Sequence, residues 1–189
     1  MVIREGRATL EDLWALDQLP ENEGKRFELL NGEITEVPTP EPEHNYVTGQ
    51  FYGPMWNFNS IHKLGFVFGD NTSYTLPSGD ELIPDVSFVS KERAGFPLPK
   101  KFFLAPDLEV EVESLNYSEY GLLGKAEAYL KSGTRLVWLA YPESKVVWVC
   151  RLADDGDLKL HKAELNDTLD GDDMLPEFRL AVKDIFPAE

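Results

Sequence analysis

The stretch 107–114, DLEVEVES, alternates Leu108, Val110 and Val112 with Glu109, Glu111 and Glu113. A strand has period two, so this spacing sends the aliphatics to one face and the carboxylates to the other. Residues 9–19 place Leu13, Leu16 and Leu19 at helical spacing behind Thr9, and predict a short helix with Thr9 as N-cap. In RFELLNGEITEV, Asn31-Gly32 separates two strand-like runs and predicts a hairpin. A proline-rich bend follows. A helix is then expected from about Glu43 to Ile61, turning Tyr46, Val47, Phe51, Met55 and Trp56 inward and weakened by Gly49, Gly53 and Pro54.

Strands come next: GFVFG, TSYTLP and ELIPDVSFVS, with Ser78-Gly79 as a turn. A longer loop spans 90–105. The glutamate strand follows it, then a helix over about 118–132 closed by Gly133. TRLVWLAYP and SKVVWVCRL read as apolar strands joined around Pro142-Glu143. A DDGD turn leads to a further strand, and LPEFRLAVKDIF closes the chain. There is no internal repeat and no low-complexity linker. The expectation is one α/β (α+β) domain over residues 1–189, a central mixed sheet flanked by helices with an N-terminal hairpin and extra C-terminal strands.

Charge changes the picture in one respect. The 189 residues carry a net charge of −16, which argues against coating nucleic acid or an anionic membrane by bulk electrostatics. No apolar run is long enough to span a bilayer, and the first residues lack the apolar core of a secretory signal. The single cysteine, Cys150, lies in an apolar strand and reads as packing. With no intramolecular disulfide available, a cytoplasmic location is expected.

Same-face neighbours on a strand lie roughly 7 Å apart, so adjacent glutamates repel by about 2.4 kcal/mol at an effective dielectric of 20. On a solvated edge that is tolerable. Inside a cleft it requires a cation, a proton or a metal. A second acid with the same requirement is Asp85, set between Pro84 and the apolar run Val86–Val89. Carboxylates from two neighbouring strands make a site for Mg²⁺, with Mn²⁺ as a substitute, because such ions need only one or two protein carboxylates beside water and phosphate oxygens. A metal held there can activate water and stabilise a phosphodiester under attack.

Proline-aspartate, an acidic strand and then a helix resemble the PD-(D/E)XK nuclease superfamily, and more closely its Uma-two family of restriction-endonuclease-like proteins. The likeness runs through RFELLNGEITEV, PEPEHNYVTG, VFGDNTSYTLPSGDELIPDVSFVS, APDLEVEVES, KAEAYLKSGTRLVWLAYP and DMLPEFRLAVKDIF. It implies a restriction endonuclease-like core, Mg²⁺-dependent cleavage of nucleic acid with DNA as the expected substrate, and no nucleotide cofactor. Asp85 and Glu111 take the places of the metal ligands. The superfamily's lysine would fall at 113, where this chain has Glu113, and Lys125 in the following helix matches the family's displaced lysine. A homodimer is expected by analogy with enzymes that cut both strands.

Helical spacing supports Lys125 independently. Leu122, Ala126, Tyr129 and Leu130 form an apolar stripe, and Lys125 falls on its flank, so its stem can follow the core while the ammonium reaches a cleft. Glu113 and Glu109 are further carboxylates for a second metal subsite or are solvated strand residues. Glu28, in RFELL, and His44, at a helix start, are auxiliary candidates. His62 and His161 lack any zinc spacing. The stretch 166–177 fails as a calcium loop at Asn166, Thr168 and Pro176. No nucleotide-binding glycine loop or nucleophile elbow is present.

The loop KERAGFPLPKK sets Lys91, Arg93, Lys100 and Lys101 against one acid, Glu92, and includes Phe96. It joins the strands of Asp85 and Glu111, and is the expected nucleic-acid contact. Two other readings stay open: a catalytically silent nuclease-fold interaction module, and a hydrolase of small phosphate esters.

Overall fold

A computed structural model describes residues 7–114 and 119–187, with no side chains described at 119 and 120. The first helix, α1 (Leu10–Asp17), starts at Thr9 in a capping box: the Thr9 hydroxyl accepts from the Asp12 amide, and the Asp12 carboxylate accepts from the Thr9 amide. Of its three leucines only Leu13 is fully buried. Strands β1 (Phe27–Leu30) and β2 (Glu33–Glu36) pair antiparallel across Asn31 and Gly32. Both turn residues have positive φ, 53° and 82°, as a primed hairpin turn requires.

The second helix, α2 (Pro42–His62), runs through Pro54 and ends on Lys63 at positive φ. Its inward stripe is Val47, Phe51 and Met55, with four-residue spacing. Tyr46 and Trp56, expected inward, are instead 46% and 50% exposed. Each lies one residue, about 100° of rotation, off that stripe.

Eight strands follow: β3 (Gly65–Gly69), β4 (Tyr74–Thr75), β5 (Glu81–Leu82), β6 (Val86–Ser90), β7 (Leu108–Val112), β8 (Leu136–Tyr141), β9 (Val146–Leu152) and β10 (Leu158–Ala163). The short helix α3 (Lys91–Ala94) occupies the start of the predicted long loop, and α4 (Glu119–Lys131) crosses from β7 to β8. Gly133, at φ 106°, lies just past the end of α4. The predicted start of that helix at 118 lies outside the described residues. A final hairpin, β11 (Thr168–Gly171) and β12 (Leu175–Ala181), closes the chain.

Six strands form a mixed sheet in the order β10-β9-β8-β7-β6-β3, in which only β7 and β8 run parallel. A parallel pair needs a crossover, and α4 supplies it. A second sheet has the order β2-β1-β5-β4. ELIPDVSFVS therefore does not form one strand. Pro84 and Asp85 interrupt it, and its two halves join different sheets.

Two apolar clusters cover the six-stranded sheet. Leu108, Val110 and Val112 pack with α2 and the terminal hairpin. On the opposite side Val137, Leu139 and Tyr141 pack with Leu122, Ala126, Tyr129 and Leu130 of α4. The glutamates of β7 share that second side, beneath the crossover helix. Among the described residues no helix is long and apolar enough to cross a membrane.

Candidate active site

Antiparallel pairing of β6 with β7 sets the start of one strand beside the end of the other, with Val86 opposite Val110. Asp85 immediately precedes β6, while Glu111 stands near the end of β7. Both line one cavity of about 50 Å³, together with Lys125, His44, Arg26 and Asp70. Glu28 approaches from the hairpin.

Lys125 occupies the centre of the acidic group. It is only 4% exposed, as is Glu111. Its ammonium lies 2.9 Å from both oxygens of Glu28, and 3.3 and 3.2 Å from those of Glu111. Glu28 Oε1 also accepts the Ile83 amide at 2.7 Å. The apolar stripe of α4 carries the lysine stem inward, as its helical position predicts. The charge is so deep that it needs this doubly acidic cage.

Asp85 Oδ2 accepts the Val112 amide at 2.7 Å and lies 3.2 Å from His44 Nε2. Burial pulls the His44 pKa down. The hydrogen bond and charge of Asp85, with contributions from the Val112 backbone and Asp70, outweigh it and raise the pKa above the ordinary imidazole value. His44 reaches Asp85 because it lies in the first turn of α2, whose first residue, Pro42, follows the wall segment Val37–Glu41.

The strand's glutamates divide sharply. Burial, opposed by the Lys125 charge and reinforced by Asp85 and Glu28, raises the pKa of Glu111 well above the usual carboxylate range. Glu109 is completely buried, and neither carboxyl oxygen has a hydrogen-bond partner among the described residues. Burial, then the Glu111 charge, pushes its pKa far up. Glu113 lies beyond the end of β7, donates its amide to Ala140 O at 2.8 Å, and lines a separate open cleft with Glu41, Glu43 and Glu143.

The fit to a divalent cation can be judged from the donor set. Among the described residues no group of three or more His, Cys, Asp or Glu side chains is arranged to hold a metal ion. Asp85 and Glu111 are two carboxylates sharing one cavity, a donor set suited to Mg²⁺, which keeps several waters and binds substrate phosphate. One water needs roughly 10–15 Å³ of such space, so there is room for an ion and a few waters. The residues fit the ion.

The basic loop is arranged differently from the sequence picture. It leaves from the end of β6 opposite Asp85, and none of Lys91, Arg93, Lys100 or Lys101 lines the cavity. Arg93 lies 3.0 Å from Asp107 and donates to Ala105 O. Lys101 lies 2.8 Å from Glu81 and above the Trp14 ring. Lys91 and Lys100 are exposed. Arg26 and Asp70, which line the cavity, have no local pattern that marks them. The only clue to Arg26 is its place beside Glu28 in RFELL.

A model of the Uma2 family, described as "Putative restriction endonuclease", matches residues 13–183. No curated protein matches the chain. A crystal structure described as a "putative nuclease belonging to DUF820" from Anabaena variabilis is similar in fold, with a TM-score of 0.80. It is 22% identical, and the likeness covers 94% of this chain and 96% of that one.

Proposed function

The chain belongs to the Uma2 family, and from that premise we propose that it is a Mg²⁺-dependent nuclease acting on phosphodiester bonds, with DNA as the expected substrate. The observation that carries this reading is the shared cavity of Asp85, Glu111 and Lys125, brought together from the link before β6, from β7 and from α4. Asp85 and Glu111 are the residues that would hold the ion. When bound, it would supply charge stabilisation at the phosphoryl group and lower the pKa of a water.

The protein's own groups prepare the site. The Val112 amide and His44 fix Asp85 by two contacts to Oδ2, and the residue lines the cavity. Glu28 holds the Lys125 ammonium beside Glu111, where it offsets negative charge on a bound phosphate. His44 is a proton carrier within reach of the same cavity. Cutting both strands of a duplex calls for two copies of such a site, and so for a homodimer.

A labelled DNA duplex and its RNA counterpart, incubated with Mg²⁺ or Mn²⁺, test the reading. Cleavage by the native chain is expected, with loss in Asp85→Asn and Glu111→Gln at unchanged circular dichroism. An intact substrate under every condition would sink it. A catalytically silent module is the second reading, favoured by Glu113 in the usual lysine position and by the acidic surface. Calorimetric titration with Mn²⁺ separates the two, since only an intact metal site gives heat that Asp85→Asn abolishes.

A further inference from the structure

We propose that Arg26 is the phosphate clamp of this cavity and marks the side over which a bound nucleic acid strand enters, an inference that rests on the nuclease reading above. Arg26 precedes β1 and lines the cavity of Asp85 and Glu111. It also lines the adjoining open groove that contains Lys25, Pro38 and Asn71, so it stands where the two spaces meet.

Its hydrogen bonding is one-sided. Nη1 donates to the Asp70 carbonyl and, at 3.2 Å, to Asn71 Oδ1, and lies 3.7 Å from the Asp70 carboxylate. All of these contacts use one nitrogen. A guanidinium carries five N–H donors in a rigid plane, and Nε and Nη2 make no hydrogen bond or ion pair to any described residue. Anchoring at one corner holds the group still while its other edge keeps the two-donor geometry that matches a phosphate. Lys125 cannot take this role as readily, because Glu28 and Glu111 both engage its ammonium.

Charge in a second neighbouring cleft supports the same direction of approach. Through Glu41, His44 and Ser114 the cavity adjoins the cleft of Glu41, Glu43, Glu113 and Glu143, and no described residue lining that cleft is a lysine or arginine. A polyanion is repelled from it. On the Arg26 side Lys25 adds a second cation, 3.2 Å from Glu36 and exposed to exchange that partner for phosphate.

The test is an anisotropy titration of a short labelled DNA duplex, and of its RNA counterpart, in Ca²⁺ over a series of salt concentrations. The native chain is expected to bind at least one of them. Arg26→Ala should lose about tenfold or more in affinity, and its slope of log affinity against log salt should shrink by about 0.9, the value for one phosphate contact. Arg26→Lys should keep most of the slope while losing affinity, since it retains charge and loses the fork. Lys131→Ala, on the exposed side of α4, should bind like the native chain. If Arg26→Ala fails to fold, Arg26→Gln replaces it, because it keeps a longer polar side chain there without the charge.

Native affinity and slope in the neutral variant would overturn the assignment. So would weaker binding at an unchanged slope, which is the signature of a merely structural arginine. Absence of binding by the native chain to either nucleic acid would instead remove the nuclease reading beneath it.

Discussion

Lys125 Nζ lies 2.9 Å from the carboxylate of Glu28, a residue 97 positions earlier in the chain. The contact ties the N-terminal hairpin to the crossover helix at the point where both reach Glu111. Removing the cation leaves two buried carboxylates facing each other, and breaking a buried pair this way costs about 3–5 kcal/mol. Lys125→Met is therefore expected to lose that much in urea denaturation, as well as any cleavage activity. Glu28→Gln keeps an oxygen for the Ile83 amide and should cost less than Lys125→Met.

Glu109 presents the opposite case. Its carboxyl is fully buried without a hydrogen-bond partner among the described residues, and such a group costs about 1–3 kcal/mol. Leucine has similar volume and suits the surrounding Val137 and Leu139. Glu109→Leu should raise the denaturation midpoint. A lower midpoint would mean that the carboxyl contributes a stabilising contact.

Gly65 has no space for a side chain. A Cβ there would sit 2.2 Å from the Val89 carbonyl and 2.6 Å from the Phe88 ring, on the strand that pairs with β3. Gly65→Ala must push β3 away from β6, and overpacking of this kind costs about 1–3 kcal/mol. Thermal unfolding reads the loss directly.

Cys150 should be inert in the native protein. Burial above all, with the nearby Glu109 charge, pushes its thiol up to about 12, and the thiolate is the reactive form. A disulfide reagent at pH 8 is expected to titrate no thiol until denaturant is added. Rapid native labelling would show that this part of the sheet opens.

Asp172 provides a pH signature away from the cavity. Burial raises its pKa, but the hydrogen bonds donated by Arg151, the hydrogen bonding with Asp170 and the charges of Arg151 and Arg135 bring it below the usual 3.8. A carboxylate depressed in the folded state contributes stability above its unfolded pKa, and loses it as pH falls through the lower folded value. Asp172→Asn tolerates the positive φ of 51° at this position. Its melting temperature should lie below that of the native chain at pH 6, and the gap should narrow as the pH falls below the usual carboxylate value of 3.8.

The local pattern was highly legible where a short range of the chain decides the outcome. Thr9 caps α1, Asn31-Gly32 turns the hairpin, and Lys125 takes the flank that its neighbours Leu122, Ala126 and Tyr129 leave for it. Where two registers differ by one residue, local pattern does not choose between them. Tyr46 and Trp56 are apolar, yet only their angle to Val47 and Met55 decides that they face outward.

Sequence alone determined the alternation that sets Glu109 and Glu111 on one face of β7, because the side-chain period of a strand is a property of its backbone. It could not determine that this face lies under α4 and away from water, so the same pattern was compatible with a solvated edge. Burial depends on the parallel pairing of β7 with β8 and the crossover between them. Tertiary structure also decided that Arg26, Asp70 and His44 meet Asp85 and Glu111 at one end of the sheet, while the basic loop departs from the other. Such meetings come from strand direction and order, which join residues tens of positions apart, and no local periodicity records them.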